Sequence, residues 1–363
     1  MQRLWTVIIA LAGLILTPGG PVAAQEAPLD MVALRSLYAG QPLEWPRPVL
    51  QPDAVFTEFG PTPPVIDPPH NPPTPEKIAF GRMLFNDPRL SGSGQIACAS
   101  CHNRELGFGD GISTSFGHDR QRGRRNALPL YAVPWMRMLF WDGRAASLEE
   151  QALASMTNPL EMAADPELVV SQIAADERYT AAFSRAFGDQ TITPEHIAQA
   201  LAVFMRTHKP RFSRWDRVMR DGTKVLSDQE LQGLHLFRTK AGCTNCHNGP
   251  LFTDQRFHNI GLSFYGRRLQ DLGRYDITHN AADVGAFRTP SLRGISRTAP
   301  YMHNGIFPHL RGIVNFYNAG GVRLRRKPDQ KDDPLFPETS LILKPLNLTR
   351  EEREALVAFL ETL

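Results

Sequence analysis

All four cysteines of this chain fall in two copies of one pattern, and no other feature limits its fold as sharply. Residues 97–103 read ACASCHN and residues 242–248 read GCTNCHN, so each copy is C-x-x-C-H followed by asparagine. Two thiols three positions apart on a tight helical turn can both reach the vinyl groups on one edge of a porphyrin. The adjacent histidine then lies under the ring and gives its imidazole to the iron. Zinc also accepts cysteine and histidine, and redox dithiols also use C-x-x-C. Neither calls for a histidine directly after each second cysteine. The motifs therefore read as covalent attachment of two c-type haems, one on Cys98, Cys101 and His102, the other on Cys243, Cys246 and His247.

The repeat extends upstream. GRMLF at 81–85 precedes the first motif and GLHLF at 233–237 the second, giving G-x-x-L-F twice. Each belongs to an expected helix with a visible start: Thr74 as N-cap before Pro75, and a capping box from Ser227 to Glu230. A repeated helix plus haem motif predicts two cytochrome-c-like lobes. Further helices are expected after Thr193-Pro194, with Ile197, Ala200, Leu201 and Phe204 at helical spacing. Another is expected at the C-terminus, opened by Thr349 and Glu352 and facing inward with Leu356, Phe359 and Leu360. No run of alternating strands is evident, so the expected fold is mainly α, two haem domains with long irregular loops.

The chain opens with Arg3, an apolar run from Leu4 to Thr17, PGGP, and small residues before Gln25. That order predicts a secretory signal over residues 1–24, cleaved after Ala24 and directing the protein to the periplasm. The apolar run is short for a bilayer span, and no later segment offers one, so the mature chain is expected to have no membrane span. About a dozen prolines between Pro42 and Pro75 oppose regular helix, and residues 25–75 are expected to form an extended arm on the body. The two haem domains are expected at 76–225 and 226–363. A formal charge of +3 over 363 residues gives no reason to expect nucleic acid.

With two haem sites in place, further stretches become informative. FWDGRAASLEEQA, NPLEM, FRTPSLR, TAPYMHNG and the terminal helix resemble the bacterial di-haem cytochrome c peroxidases and the related MauG group, across nearly all of residues 76–363. The resemblance implies reaction with hydrogen peroxide at the haem on His102 and an electron-transfer role for the haem on His247. It implies Glu161 as the distal acid–base residue, Gln151 as the distal amide, and Trp141 as an indole between the haems; their spacing is W-x9-Q-x9-E. It implies that His118 can cap the first haem, although an exposed loop histidine fits the same sequence. On the second haem the peroxidases use a late methionine; at the matching place stands Tyr317, the MauG-type axial ligand, with Met302 and His303 as rivals. A phenolate is a hard anionic donor and would lower the iron potential. A calcium ion is implied between the lobes, held by Asn126 and by the backbone carbonyls of Thr298 and Pro300.

The resemblance leaves two electron sources open: a small redox protein (a cytochrome c or a cupredoxin), or residues of a client protein as in MauG. A non-catalytic di-haem electron carrier is the rival of another class. Self-association to an oligomer stays open. Two basic clusters, Arg120, Arg122, Arg124 and Arg125, then Arg323, Arg325, Arg326 and Lys327, are solvated loop charges or partners for haem propionates or an acidic protein.

Overall fold

The structure, a computed structural model, describes residues 30–363; the expected signal segment lies outside them. Among the described residues, helices dominate: α1 (Met31–Leu37), α2 (Pro75–Phe85), α3 (Cys98–Cys101), α4 (Leu148–Thr157), α5 (Pro166–Ala174), α6 (Glu177–Phe187), α7 (Pro194–Arg206), α8 (Arg214–Asp221), α9 (Asp228–Arg238), α10 (Tyr275–Thr278), α11 (Leu310–Asn318) and α12 (Arg350–Leu360). Two short strands, β1 (Phe257–His258) and β2 (Phe287–Arg288), pair antiparallel with Phe257 opposite Arg288. No described helix is long and apolar enough to cross a membrane.

The helices start where the sequence signals them. Thr74 and Thr193 accept backbone hydrogen bonds ahead of a proline at the first helical turn, and Ser227 and Thr349 close reciprocal boxes with Glu230 and Glu352. Such caps satisfy amide groups that the first helical turn leaves unpaired. Two cores result. The first gathers Phe80, Leu84, Met156, Ile173, Ile197 and Leu201 from α2, α4, α5 and α7. The second gathers Trp215, Leu234, Phe237, Phe252 and Phe359 around α9 and α12.

The G-x-x-L-F repeat has one physical cause in both lobes. A Cβ on Gly81 would stand 2.0 Å from the Ala200 carbonyl oxygen, and one on Gly233 would stand 2.0 Å from that of Ala355. Each glycine is the point where two helices touch backbone to backbone, α2 on α7 and α9 on α12. Leucine and phenylalanine three and four residues on then fill the core beside the crossing. Gly81→Ala and Gly233→Ala should each destabilise the protein by roughly 1–3 kcal/mol through forced separation of the pair, measurable by denaturant unfolding.

The proline-rich arm is more deeply built in than its composition suggests. Leu34, Tyr38, Trp45 and Phe59 are buried in the core of the second lobe. Arg238 of α9 is fully enclosed beneath the arm, where its guanidinium donates to Glu58 Oε1 and Oε2 (2.6 and 2.9 Å) and to the Pro46 carbonyl (3.0 Å). Further along, the arm reaches the first lobe: Asn71 Nδ2 donates to Glu149 Oε1 (2.7 Å) and to the Gln199 carbonyl (3.0 Å). Helix α8, on the first-lobe side of the division expected at 225, packs Trp215 and Val218 into the second core. The Trp215 amide donates to the Thr362 carbonyl (2.9 Å).

Candidate functional site: two pockets and the bridge between them

Each C-x-x-C-H motif floors a cavity. The first encloses about 430 Å³, with Cys98, Cys101 and His102 in its wall. The second encloses about 110 Å³, with Cys243, Cys246 and His247. The two histidines are held alike: His102 Nδ1 lies 2.9 Å from the Phe108 carbonyl, and His247 Nδ1 lies 3.0 Å from that of Phe252. Both phenylalanines have a left-handed backbone (φ 60° and 53°), which turns their carbonyls back onto the imidazoles. A carbonyl on Nδ1 fixes the proton there and leaves Nε2 free to bind a metal. No disulfide joins the four cysteines. Burial pushes the Cys98, Cys243 and Cys246 thiols up to about 12. Thiols held protonated in this way are the reverse of an activated redox dithiol.

Gln151, Glu161 and Trp141 all line the first cavity. Gln151 and Ser155 lie one turn apart on α4, and Gln151 Nε2 donates to Ser155 Oγ (2.9 Å). The chain then reverses after Asn158, with the Glu161 and Ala163 amides both donating to the Asn158 carbonyl. That turn brings Glu161 back beside α4, where Asn158 Nδ2 donates to Glu161 Oε1 (2.7 Å) and Arg144 Nη2 lies 3.7 Å away. Burial, only partly offset by the Ser155 hydroxyl and Arg144, raises the Glu161 carboxyl above the ordinary glutamate value.

The second cavity carries Tyr317, Met302 and His303 in its wall. The Tyr317 phenol projects from α11, and burial near the Cys243 and Cys246 thiols raises its pKa. The His303 ring stacks flat on Phe287 at 3.6 Å, and burial pulls it down to about 4. His258, also in this wall, lies 2.8 Å from buried Asp254. With Cys246 they bring three ligand-type atoms within 4.8 Å of one another, a grouping that sequence inspection does not single out.

Trp141 lines both cavities. Its indole N–H donates to the Asn126 carbonyl (2.9 Å), and its own carbonyl accepts from the Arg288 amide (2.8 Å). His118 is not in the wall of the first cavity. Its amide donates to the Glu161 carbonyl (2.7 Å), its Nε2 faces Asp119 at 3.2 Å, and its Nδ1 is buried without a partner. Asn126 donates from Nδ2 to the carbonyls of Ile112 (2.9 Å) and Ser113 (3.3 Å). Thr298 donates from Oγ1 to the Ile295 carbonyl, and Pro300 follows a cis peptide bond. Of the basic clusters, Arg124 and Arg125 line the first cavity. Arg125 bridges Asp142 (2.5 Å) and Asp271 (2.7 Å).

The cavities fit porphyrins on grounds independent of the motifs. Arg288 and Arg293 lie in the wall of the first cavity, only 5% and 3% exposed. Arg293 is paired with Asp216 through Nη2 but keeps Nε and Nη1 buried without a partner, and among the described residues no carboxylate pairs with Arg288. A buried guanidinium without a counter-charge, as at Arg288, calls for an anion, and haem brings two carboxylates into such a pocket. Neither arginine announces itself in the sequence, beyond lying in FRTPSLR.

Two cavities, each offering an imidazole and two thiols and joined by one indole, define a two-centre haem oxidoreductase. The model of the di-haem cytochrome c peroxidase family matches residues 75–224. The cytochrome-c peroxidase IdrP1 of Pseudomonas sp. (strain SCT) is 36% identical over 334 residues, covering 84% of this chain and 85% of that protein. The methylamine utilization protein MauG of Methylorubrum extorquens is 39% identical over 305 residues, covering 82% and 81%. The crystal structure of a MauG-like protein associated with microbial copper homeostasis superposes with a TM-score of 0.74 at 33% identity, covering 83% of this chain and 93% of that one. The chain belongs to the di-haem cytochrome c peroxidase family, whose cofactor is haem.

Proposed function

We propose that the protein is a periplasmic peroxidase that reduces hydrogen peroxide in the first pocket, with electrons arriving through the second. Two haems are attached through the four cysteines, with His102 and His247 as iron ligands. The asymmetry of the two cavities carries this reading. The larger one presents a carboxyl and an amide to its interior, while the smaller one is walled by the Tyr317 phenol.

Bound haem would supply an iron that takes peroxide and the electrons that cleave its O–O bond. The chain supplies the rest. Gln151, oriented by Ser155, donates a hydrogen bond to the entering peroxide. Glu161 accepts the proton from the first peroxide oxygen and returns it to the far one, so that the fragment departs as water. Two electrons and two protons thereby convert one peroxide into two waters. Trp141, in both walls, is the relay between the centres. His118, pinned to Glu161 through the backbone, faces Asp119 in this conformation, and capping the first haem would require its loop to move. Asn126 Oδ1 and the Thr298 and Pro300 carbonyls would supply oxygen ligands to a calcium ion; the indole of Trp141 is tied to the same Asn126.

Stopped-flow mixing with peroxide and a reduced cytochrome c or cupredoxin should show rapid donor oxidation. Indifference to every such donor would remove the peroxidase reading. Tyr317 favours a second reading, in which oxidising equivalents are drawn from residues of a client protein. Its phenol, rather than the His303 ring that stacks on Phe287, would help hold the iron of the second haem. Tyr317→Phe should therefore alter the absorption spectrum of one haem only; two unaltered spectra would overturn the ligand assignment.

A further inference from the structure

Three residues line both cavities: Trp141, Pro290 and Arg288. Arg288 is the charged one, and it is tied to the bridge at two points. Its amide donates to the Trp141 carbonyl (2.8 Å) and its Nε to the Phe140 carbonyl (3.2 Å). Its Nη1 has only the thioether sulfur of Met136, a weak acceptor, at 3.1 Å. Arg125 nearby shows the usual arrangement, a half-buried guanidinium held between two aspartates. Arg288 has no such partner among the described residues. Burial without a counter-charge pulls it down to about 10. An enclosed cation at the junction of two cavities is strongly unfavourable unless an anion joins it.

We propose that Arg288 is a shared anion anchor, its guanidinium taking carboxylates at the haem edges from both cavities at once. Its terminal nitrogens carry four N–H groups in a planar fork, enough for one carboxylate on each side. One positive charge then lies close to both irons. It opposes the more positive ferric state of each, and so holds both reduction potentials up. The inference rests on the two haem sites proposed above, but not on peroxide as substrate.

Redox titration of the haem-loaded protein tests it. Arg288→Gln should lower the midpoint potentials of both haems, and Arg288→Lys, which keeps the charge, should leave both near the wild-type values. A fall at one haem alone, or at neither, would overturn the proposal. Should the glutamine variant fail to load haem, the lysine variant decides by resonance Raman spectroscopy. A lone ammonium cannot fork, so propionate bending bands should shift at both haems, and unshifted bands would overturn the anchor. A free inorganic anion is the alternative occupant. Wild-type potentials that stay constant between chloride-free and high-chloride buffer support haem carboxylates, and potentials that follow chloride exclude them. No arm reads peroxide turnover, so the two proposals fail separately.

Discussion

Replacing Glu161 with glutamine should leave both haem sites loaded yet slow peroxide consumption by roughly 100- to 10,000-fold, the usual contribution of a positioned proton carrier. Glutamine keeps the size and one hydrogen-bonding oxygen for Asn158, so loss of rate would report loss of the proton site. The pH profile gives an independent check. Burial raises the Glu161 carboxyl above the ordinary value of 4.5. A base must be ionised before it can accept a proton, so activity should fall as pH drops through that raised value. The acid limb of kcat/KM should accordingly lie above pH 4.5 and vanish in the glutamine variant. Wild-type rates, or an unmoved limb in the variant, would take Glu161 out of the chemistry.

The second large effect is expected far from either reacting centre. Glu58→Ala should cost about 3–5 kcal/mol, because it strands the fully enclosed Arg238 guanidinium without its counter-charge. Denaturant unfolding of the haem-loaded protein measures this. The second haem, whose motif follows Arg238 within a few residues, should change its spectrum before the first. A double change, Glu58→Leu with Arg238→Met, should recover much of the loss, since a matched apolar pair can replace a buried ion pair. A cost below about 1 kcal/mol for Glu58→Ala would mean that the arm only lies on the surface.

The helices were legible because their starts are local. Thr74, Thr193, Ser227 and Thr349 each act within four residues, and the apolar faces that follow them are buried as their spacing implies. The motifs were legible because attachment chemistry fixes a short spacing. Other features depend on partners distant in sequence. The proline content correctly opposed long helices in the arm, but nothing in it shows that Trp45 and Phe59 enter the second core. The repeated glycine was visible as a pattern, while its reason, the carbonyls of Ala200 and Ala355, lies more than a hundred residues away. Trp215 sits closer in sequence to α7 than to α12, yet it pairs with the chain terminus. Arg288 looks like an ordinary loop charge until its burial, with no carboxylate paired to it among the described residues, shows that it lacks an anion.

The buried arm has a consequence for how the polypeptide matures. The core of the first lobe is drawn from one contiguous stretch, so a nascent chain can assemble it early, through contacts of modest sequence separation. The other lobe must bring Tyr38, Trp45 and Phe59 together with Phe359 and Leu360 in one core, and Thr223 Oγ1 donates to the Tyr38 carbonyl across 185 positions. Until the last helix has been synthesised, Trp45 and Phe59 have no completed hydrophobic seat. Trimming the beginning of the protein should therefore damage the half that is made last, not the half that follows it in the sequence.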